Sequence, residues 1–338
     1  MKIIVDAFGG DNAPVEILKG TAAAISEYGV TALVCGDEER IGQVLSENGI
    51  SSSGMEFLNA PDIMPVEAEP TEILKSYASS SIAVGMKALA NGLGDAFVTA
   101  GSTGAAVVGA SLIVKRIKGV KRPALAPILP NSAGRYMLLD IGANVECRPE
   151  MLLQFGIMGS AYMKDIMGVE NPRVGLVNIG AEETKGLDLQ IQAYHLMKAA
   201  PINFIGNVEG RDLPLGACDV AVTDGFTGNI ILKHTEGMGK FLSLELKSIF
   251  LAGFGSKIAA LLLKRSIGAF RKKMDYTEYG GTLLMGISKP VIKAHGSSNA
   301  KAFKNAIRQA KNICGNNITG KIAQALSASK EKENGENG

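Results

Sequence analysis

The sequence predicts an α/β protein of three layers, a mostly parallel sheet between two layers of helices. Short apolar runs with strand character alternate with segments of helical period along most of the chain. Glycine is abundant, at 41 residues, and much of it falls where apolar runs end, as tight strand-to-helix turns require. With 338 residues, 46% of them hydrophobic, the chain can form one large domain or two lobes sharing a cleft. We read residues 1–328 as a single two-lobed unit. Residues 329–338, charged and glycine-ended, read as a disordered tail.

The elements follow in order. Residues 2–7 form a strand that stops at Phe8-Gly9-Gly10-Asp11-Asn12-Ala13-Pro14. Pro14 suits the first turn of the next helix, with Asp11 or Asn12 near its cap. Strands at 31–35 and 55–58 flank a helix that opens at Gly36-Asp37 and runs to residue 48. Residues 61–70, with three prolines and three acids, form a loop at the cleft or its rim, and helix pattern resumes over 71–89. Residues 96–100 are a buried parallel strand, broken at Gly101-Ser102-Thr103-Gly104 and followed by a helix to residue 114. Strands 124–129 and 136–141 are joined by a five-residue polar turn, 130–134, which predicts an antiparallel hairpin.

A helix over about 150–167 follows, then a strand over 174–179 that ends at Gly180-Ala-Glu-Glu-Thr-Lys-Gly186. After a helix over 187–197 come strands 203–205 and 220–223, the latter ending at Asp224-Gly-Phe-Thr-Gly-Asn229. Residues 230–274 carry no strand signal and break near Gly253 and Gly255, which predicts an αα-hairpin projecting from the body. Residues 283–285 and 291–294 are short strands, and His295-Gly-Ser-Ser298 opens a last helix to about residue 326.

Composition excludes several functions. A net charge of +2 gives no field for nucleic acid, and zero Trp with 5% aromatics leaves few platforms for stacking bases. Cys35, Cys147, Cys218 and Cys314 are widely separated, so neither a zinc site nor a redox motif is signalled, and they fit a reducing cytoplasm. The N-terminus enters a strand directly, without a signal-peptide pattern. No apolar run reaches the roughly 18 residues needed to span a bilayer. The expectation is an intracellular protein that at most touches a membrane surface.

In parallel sheets, ligands bind beyond the carboxyl ends of the strands. Six glycine-flanked turns, at Gly9, Gly101, Gly142, Gly180, Gly225 and Gly296, are expected on or near that rim. They carry Asp11, Ser102, Thr103, Asn144, Glu182, Lys185, Asp224, Asn229 and His295. At Gly101–Gly104 a helix N-terminus offers unpaired N–H groups and partial positive charge, which suits phosphate. Taken alone, the same tetrapeptide also reads as an ordinary capped turn. No G-x-G-x-x-G turn is followed by an acid about twenty residues on, which argues against a dinucleotide site. Glu182 and Asp11 have no spacing that demands a metal, and neither metal nor cofactor is expected.

These motifs resemble a known family. Asp6-Ala-Phe-Gly-Gly-Asp11, Ala100-Gly-Ser-Thr-Gly-Ala105, Asp140-Ile-Gly-Ala-Asn144, Asn178-Ile-Gly-Ala-Glu-Glu-Thr-Lys-Gly186, Gly206-Asn-Val-Glu-Gly-Arg-Asp212, Asp224-Gly-Phe-Thr-Gly-Asn229 and Ala294-His-Gly-Ser-Ser298 resemble, in this order, the bacterial phosphate acyltransferases, the PlsX family. The resemblance runs from residue 1 to about 328. It implies transfer of a fatty acyl group from acyl carrier protein to inorganic phosphate, giving acyl phosphate for phospholipid synthesis. It also implies a homodimer and a fold similar to phosphotransacetylases and isocitrate-type dehydrogenases. Phe8, where the family usually has Met, and Thr282-Leu283, where it has Ala-Pro, depart from the pattern and bear on loop shape or acyl fit.

Phosphate needs little activation, so the enzyme's tasks are to hold it in line and to stabilise the oxyanion. Gly101, Ser102, Thr103 and Gly104, with Gly296 and Ser297, offer N–H and hydroxyl donors for phosphate. Lys185 brings a point charge to phosphate or to the oxyanion, unless it is simply an exposed lysine beside two glutamates. Asn229 donates its amide to the oxyanion or caps a helix. Asp224 deprotonates the phosphate or, since a facing carboxylate would repel it, orients Lys185 or a hydroxyl. His295 protonates the leaving thiolate or binds phosphate. The rival readings are a phosphate- or nucleotide-binding regulatory module without turnover, and an oxidoreductase on the related dehydrogenase fold.

In the hairpin, Phe254, Ile258, Leu261 and Leu262 share one face, while Leu263, Ile267 and Phe270 lie opposite. Lys257, Lys264 and Arg271 recur every seven residues on a stripe of their own. Apolar groups on two sides exceed one packing surface. They predict a dimer contact and, near the tip, transient contact with anionic lipid at the inner face of the cell membrane. A membrane glycerol-phosphate acyltransferase is the partner such a product would reach.

Overall fold

The computed structural model describes residues 1–274 and 280–335. Tyr279 and the side chain of Arg271 lie outside what is described. Strands are numbered in chain order, and they form two sheets rather than one.

The larger sheet holds β1 (Lys2–Asp6), β2 (Thr31–Gly36), β3 (Met55–Asn59), β4 (Ala96–Thr99) and β5 (Ala124–Ala126). Two strands return to it late in the chain, β11 (Thr282–Met285) and β12 (Val291–Lys293), and the order is β3-β2-β1-β4-β12-β11-β5. The smaller sheet holds β6 (Ile128–Asn131), β7 (Gly134–Leu139), β8 (Val174–Asn178), β9 (Phe204–Glu209) and β10 (Val220–Val222), in the order β6-β7-β10-β8-β9. Pairing is parallel except at β11–β12, β11–β5 and β6–β7.

Helices cover both faces of the larger sheet. Ile3 and Val5 pack with Ile17 and Leu18 of α1 (Val15–Tyr28) and Phe303 of α10 (Ala300–Gly315). Ile4 and Phe97 face the other way, against Ile82, Met86 and Leu89 of α3 (Ser81–Ala90). Alternate side chains of a strand point to opposite faces, so a strand covered on both sides reads as a continuous apolar run. The smaller sheet is covered by α5 (Pro149–Asp165) and α6 (Asp188–Ala199), and α11 (Ile318–Gly335) packs on α5.

The single sheet expected from the sequence divides at Pro127. The run 124–129 is two strands: Ala124–Ala126 pairs with β11, and Ile128–Asn131 pairs with β7. Proline has no N–H for a ladder, so neither sheet extends through it. The β6–β7 hairpin is antiparallel as expected but tighter. Asn131 pairs with Gly134, leaving Ser132-Ala133 as the turn, and Gly134 takes a φ of 134°.

Three helix boundaries also differ. Over 71–89, Pro70–Leu74 is a short 3-10 turn and α3 begins at Ser81. The serines between compete with helix hydrogen bonds, as where Ser80 Oγ donates to the Tyr77 carbonyl. α4 (Thr103–Gly109) passes into a π-helical turn, Ala110–Lys115. His295–Ser298 is a turn rather than a helix start, because Asn299 caps α10 by accepting from Ala302 N–H at 3.0 Å.

Residues 329–335, expected to be disordered, continue α11, and 336–338 lie outside the described residues. Ile322 and Leu326 are buried and anchor the start of that helix. Lys and Glu, good helix formers, prolong it.

The expected αα-hairpin is present. α7 (Gly225–Leu251) runs out from the body, turns at Ala252-Gly253, and α8 (Phe254–Leu262) and α9 (Lys264–Met274) follow. α8 has no buried residue, and Phe254 and Leu262 are 82% and 80% exposed. Lys257 and Lys264 are exposed as well.

Candidate active site

The turns at Gly9, Gly101 and Gly296 follow β1, β4 and β12, neighbours in the larger sheet. Asp11 N–H donates to the Gly296 carbonyl at 2.8 Å, and Asn12 Nδ2 donates to the Ser297 carbonyl at 3.2 Å. At Gly9 a side chain would run into Gly101 N and the Asp6 carboxylate, so the residue must be glycine.

The turns at Gly142 and Gly225 meet in the same way beyond β7 and β10. Gly225 N–H donates to the Asn144 carbonyl at 2.7 Å, and Asn229 Nδ2 donates to the Ile141 carbonyl at 2.9 Å. The Gly180 turn lies one strand further along, after β8, held where Asn178 Nδ2 donates to the Lys185 carbonyl at 2.9 Å.

Between the two rims lies a cavity of about 290 Å³. Its polar lining includes Thr103, Asn229, Lys293, His295, Ser297 and Ser298, with Lys233 and Glu236 of α7; its apolar lining includes Leu125, Ile128, Leu129, Ile141 and Leu232. Of the residues singled out from the sequence, Thr103, Asn229, His295, Gly296 and Ser297 come together here.

The others lie elsewhere. Gly101 and Ser102 line a small adjoining cleft with Asp6, and Ser102 caps α4 by accepting from Ala105 N–H at 3.4 Å. Gly104 is small because a side chain there would meet Pro70. Asp224 caps α7, accepting from Thr227 N–H and Thr227 Oγ1, both at 2.8 Å. The hydroxyl it orients is therefore that of Thr227, and the helix cap, one of two alternatives for Asn229 in the sequence, is made by Asp224. Lys185 is exposed in its loop and is not among the residues lining the cavity.

Several lining residues are not signalled by the sequence, Lys293 and Ser298 among them. Lys293 ends an apolar strand, Val291-Ile-Lys, and is 8% exposed. Its Nζ donates to the Ala100 carbonyl at 3.2 Å and to the Ala294 carbonyl. Burial pushes its ammonium down to about 8, against the opposing pull of Asp6 and Asp11. Ser298 lies inside a motif whose pattern does not set it apart; its buried Oγ has no hydrogen-bond partner among the described residues.

His295 Nδ1 accepts from Ser297 N–H at 3.2 Å and stands 2.8 Å from Ser297 Oγ. Partial burial lowers its pKa, so at neutral pH the ring is uncharged and its proton sits on Nε2.

Each rim also buries an aspartate. Asp6 accepts from Ser81 Oγ at 2.6 Å and Thr99 Oγ1 at 2.5 Å. Asp140 accepts from the backbone N–H groups of Leu125, Ile141, Ala143 and Asn144, and from Asn144 Nδ2. Burial raises the pKa of both. Among the described residues no three His, Cys, Asp or Glu side chains gather as a metal-ligand set, and Glu182 and Asp11 follow strands of different sheets.

Comparison with known proteins gives this geometry a family. The family described as "Fatty acid synthesis protein" matches residues 1–321. A phosphate acyltransferase of Caldanaerobacter subterraneus subsp. tengcongensis is 45% identical, over 96% of this chain and 97% of the relative. A phosphate acyltransferase of Clostridium novyi is 45% identical, over 95% of this chain and 97% of the relative.

Solved structures agree on the fold. A phosphotransacetylase from Streptococcus pyogenes superposes with a TM-score of 0.59 at 18% identity, covering 97% of this chain and 94% of that one. The EutD phosphotransacetylase from Staphylococcus aureus gives 0.58 at 17% identity, covering 96% and 94%. With its motifs, its fold and its near-complete alignment in agreement, this chain belongs to the fatty acid synthesis family in which those phosphate acyltransferases stand.

Proposed function

We propose that this chain transfers a fatty acyl group from an acyl carrier protein thioester to inorganic phosphate, releasing acyl phosphate for phospholipid synthesis. The observation that carries the reading is the mixed lining of the cavity, in which Thr103, Asn229, Lys293, His295 and Ser297 meet aliphatic side chains. A phosphate and the head of an acyl chain need these two surroundings within bonding distance of each other.

In the reaction, a phosphate oxygen attacks the thioester carbonyl carbon. The C–O bond forms, the C–S bond breaks, and sulfur leaves as thiolate. His295, with its proton on Nε2, protonates the thiolate and regains a proton from the hydrogen phosphate, so protons balance over a turnover. The second N–H of the Asn229 amide meets the oxyanion. Gly296, Ser297 and Thr103 hold phosphate, with Gly101, Ser102 and Gly104 shaping the turn behind Thr103. Asp224 acts through Thr227 to seat the start of α7, which carries Asn229. Lys185, in the exposed turn after β8, adds positive charge to that rim.

The test mixes the protein with acyl carrier protein thioester and phosphate and follows free thiol. Phosphate-dependent thiol release with formation of acyl phosphate is expected. Phosphate binding without thiol release would leave a regulatory module, and turnover of a nicotinamide cofactor would leave an oxidoreductase.

We further propose that the hairpin joins two copies of the chain and touches anionic membrane at its tip. The exposure of Phe254, Ile258, Leu261 and Leu262 supports this. Among the described residues no helix is long and apolar enough to cross a membrane, so the contact proposed is peripheral, at the cytoplasmic face. There the product would pass to a membrane glycerol-phosphate acyltransferase. Leu261→Glu with Leu262→Glu is read by sizing and by flotation with anionic vesicles. A variant that stays dimeric and floats like wild type removes both roles from this face.

A further inference from the structure

The polar lining of the cavity holds two groups that the fold leaves unspent. Lys293 stands at the carboxyl end of β12, between β4 and β11 near the middle of the larger sheet. The two carbonyls it donates to, Ala100 and Ala294, each open one of the glycine turns that meet at the cavity. An ammonium carries three N–H donors, and carbonyls leave its charge uncompensated. Asp6 and Asp11 act on it through space, while the Asp6 oxygens already accept from Ser81 and Thr99. A buried cation whose bonded partners are neutral is costly to keep.

Ser298 is the second group. It is 4% exposed, lines the same cavity, and its Oγ bonds to nothing among the described residues. A buried hydroxyl without a partner also costs free energy. A cation and a hydroxyl donor kept at such cost in one cavity fit an anion with several acceptor oxygens.

We propose that Lys293 and Ser298 bind the phosphate acceptor, the ammonium as its charge partner and the hydroxyl as a donor to a second oxygen. The inference rests on the reading of this cavity as the acyl-transfer site. It makes Lys293 a catalytic residue, in contact with the nucleophile, and assigns phosphate to the floor of the cavity behind the His295 turn.

Initial rates against phosphate and against acyl donor test it in Ser298→Ala and Lys293→Met. Lys293→Met is expected to raise the phosphate KM by about thirtyfold or more, and Ser298→Ala by about fivefold, with the acyl-donor KM within about twofold of wild type. Ser298→Ala removes an atom that bonds nothing among the described residues, so a purely structural serine predicts unchanged stability and unchanged phosphate KM. Added phosphate is expected to raise the Tm of wild type and to do so far less in either variant. An unchanged phosphate KM in both folded variants, or a rise confined to the acyl-donor KM, overturns the proposal.

Should Lys293→Met not fold, Ser298→Ala and wild type decide. The wild-type phosphate KM is expected to rise as pH passes about 8, and a flat profile overturns the role of the ammonium. The titratable groups around that ammonium are Asp6, Asp11 and His295, with Lys233 and Glu236 of α7 across the cavity. The two readings fail separately. If Asn229→Ala and His295→Ala lose turnover while Lys293 and Ser298 variants keep their phosphate KM, the cavity reading stands and this inference falls. If none of the four alters turnover, both fall.

Discussion

Asp6 ends β1 in the larger sheet and Asp140 follows β7 in the smaller one; they are 1% and 0% exposed. Asp140 is held by N–H groups, four from the backbone and one from Asn144. One of these, Leu125 N–H, comes from β5 of the other sheet at 2.8 Å. Asp6 is held chiefly by hydroxyls, from Ser81 and Thr99, with a single backbone hydrogen bond, from Phe8. A backbone N–H cannot turn away from its partner, whereas a hydroxyl can rotate. The difference separates two uses of a buried acid. Asp140 ties the two sheets together, while Asp6 bonds within the larger sheet's side of the molecule and bears on the charge of Lys293.

The largest effect expected from this contrast is at Asp140. Asp140→Ala strands several buried donors at once and should cost about 4 kcal/mol or more in urea unfolding. A loss below about 1 kcal/mol would mean that the clamp carries no load. Gly228→Ala comes next. A side chain at 228 would collide with the Asp140 carbonyl, so α7 must shift at its root. A loss of about 2–3 kcal/mol in thermal unfolding is expected, and an unchanged Tm would show that α7 is seated elsewhere.

Asp6→Asn should be milder for stability, about 1 kcal/mol, and visible instead in pH dependence. Lys293 ionises at about 8 when folded, against 10.5 as its ordinary value. Between those values the unfolded chain binds more protons, so this group makes stability rise with pH across that window. Removing the Asp6 charge lowers the folded value further and extends the window downward, and the rise in phosphate KM should move to lower pH with it. A profile that does not move would uncouple Asp6 from Lys293. The smallest effect is expected at Lys185, exposed and outside the cavity. Lys185→Ala should lower kcat/KM by about tenfold or less, and a loss of a hundredfold would bring its loop into the reacting centre.

Much of this arrangement was legible in the sequence. Apolar runs such as 96–99 and 174–178 announce strands buried on both faces, and the polar glycine turns mark the rims. What the turns do with their N–H groups was not legible. The run Asp140-Ile-Gly-Ala-Asn144 looks like a ligand turn, yet its N–H groups close on Asp140 itself. Gly104 looks like an opening for an anion, and its smallness instead admits Pro70. A lysine at a strand end usually reaches water, and the burial of Lys293 follows from two distant turns folding over it. Such outcomes depend on partners far away in the chain, which local pattern does not encode.

The passage through Pro127 has a mechanical consequence. The chain leaves one ladder and enters the other across this one residue, whose carbonyl accepts from Leu138 N–H at 3.1 Å. Two residues back, Leu125 N–H is fastened to Asp140. The backbone at this first crossing between the sheets is thus a short tether pinned on both sides to β7 and the residue that follows it. Rotating one sheet against the other would load these two bonds together with the core the sheets share, in which Val98 and Leu139 belong to one cluster. The spacing of the two rims, and with it the width of the cavity between them, is held in part at this pinned joint.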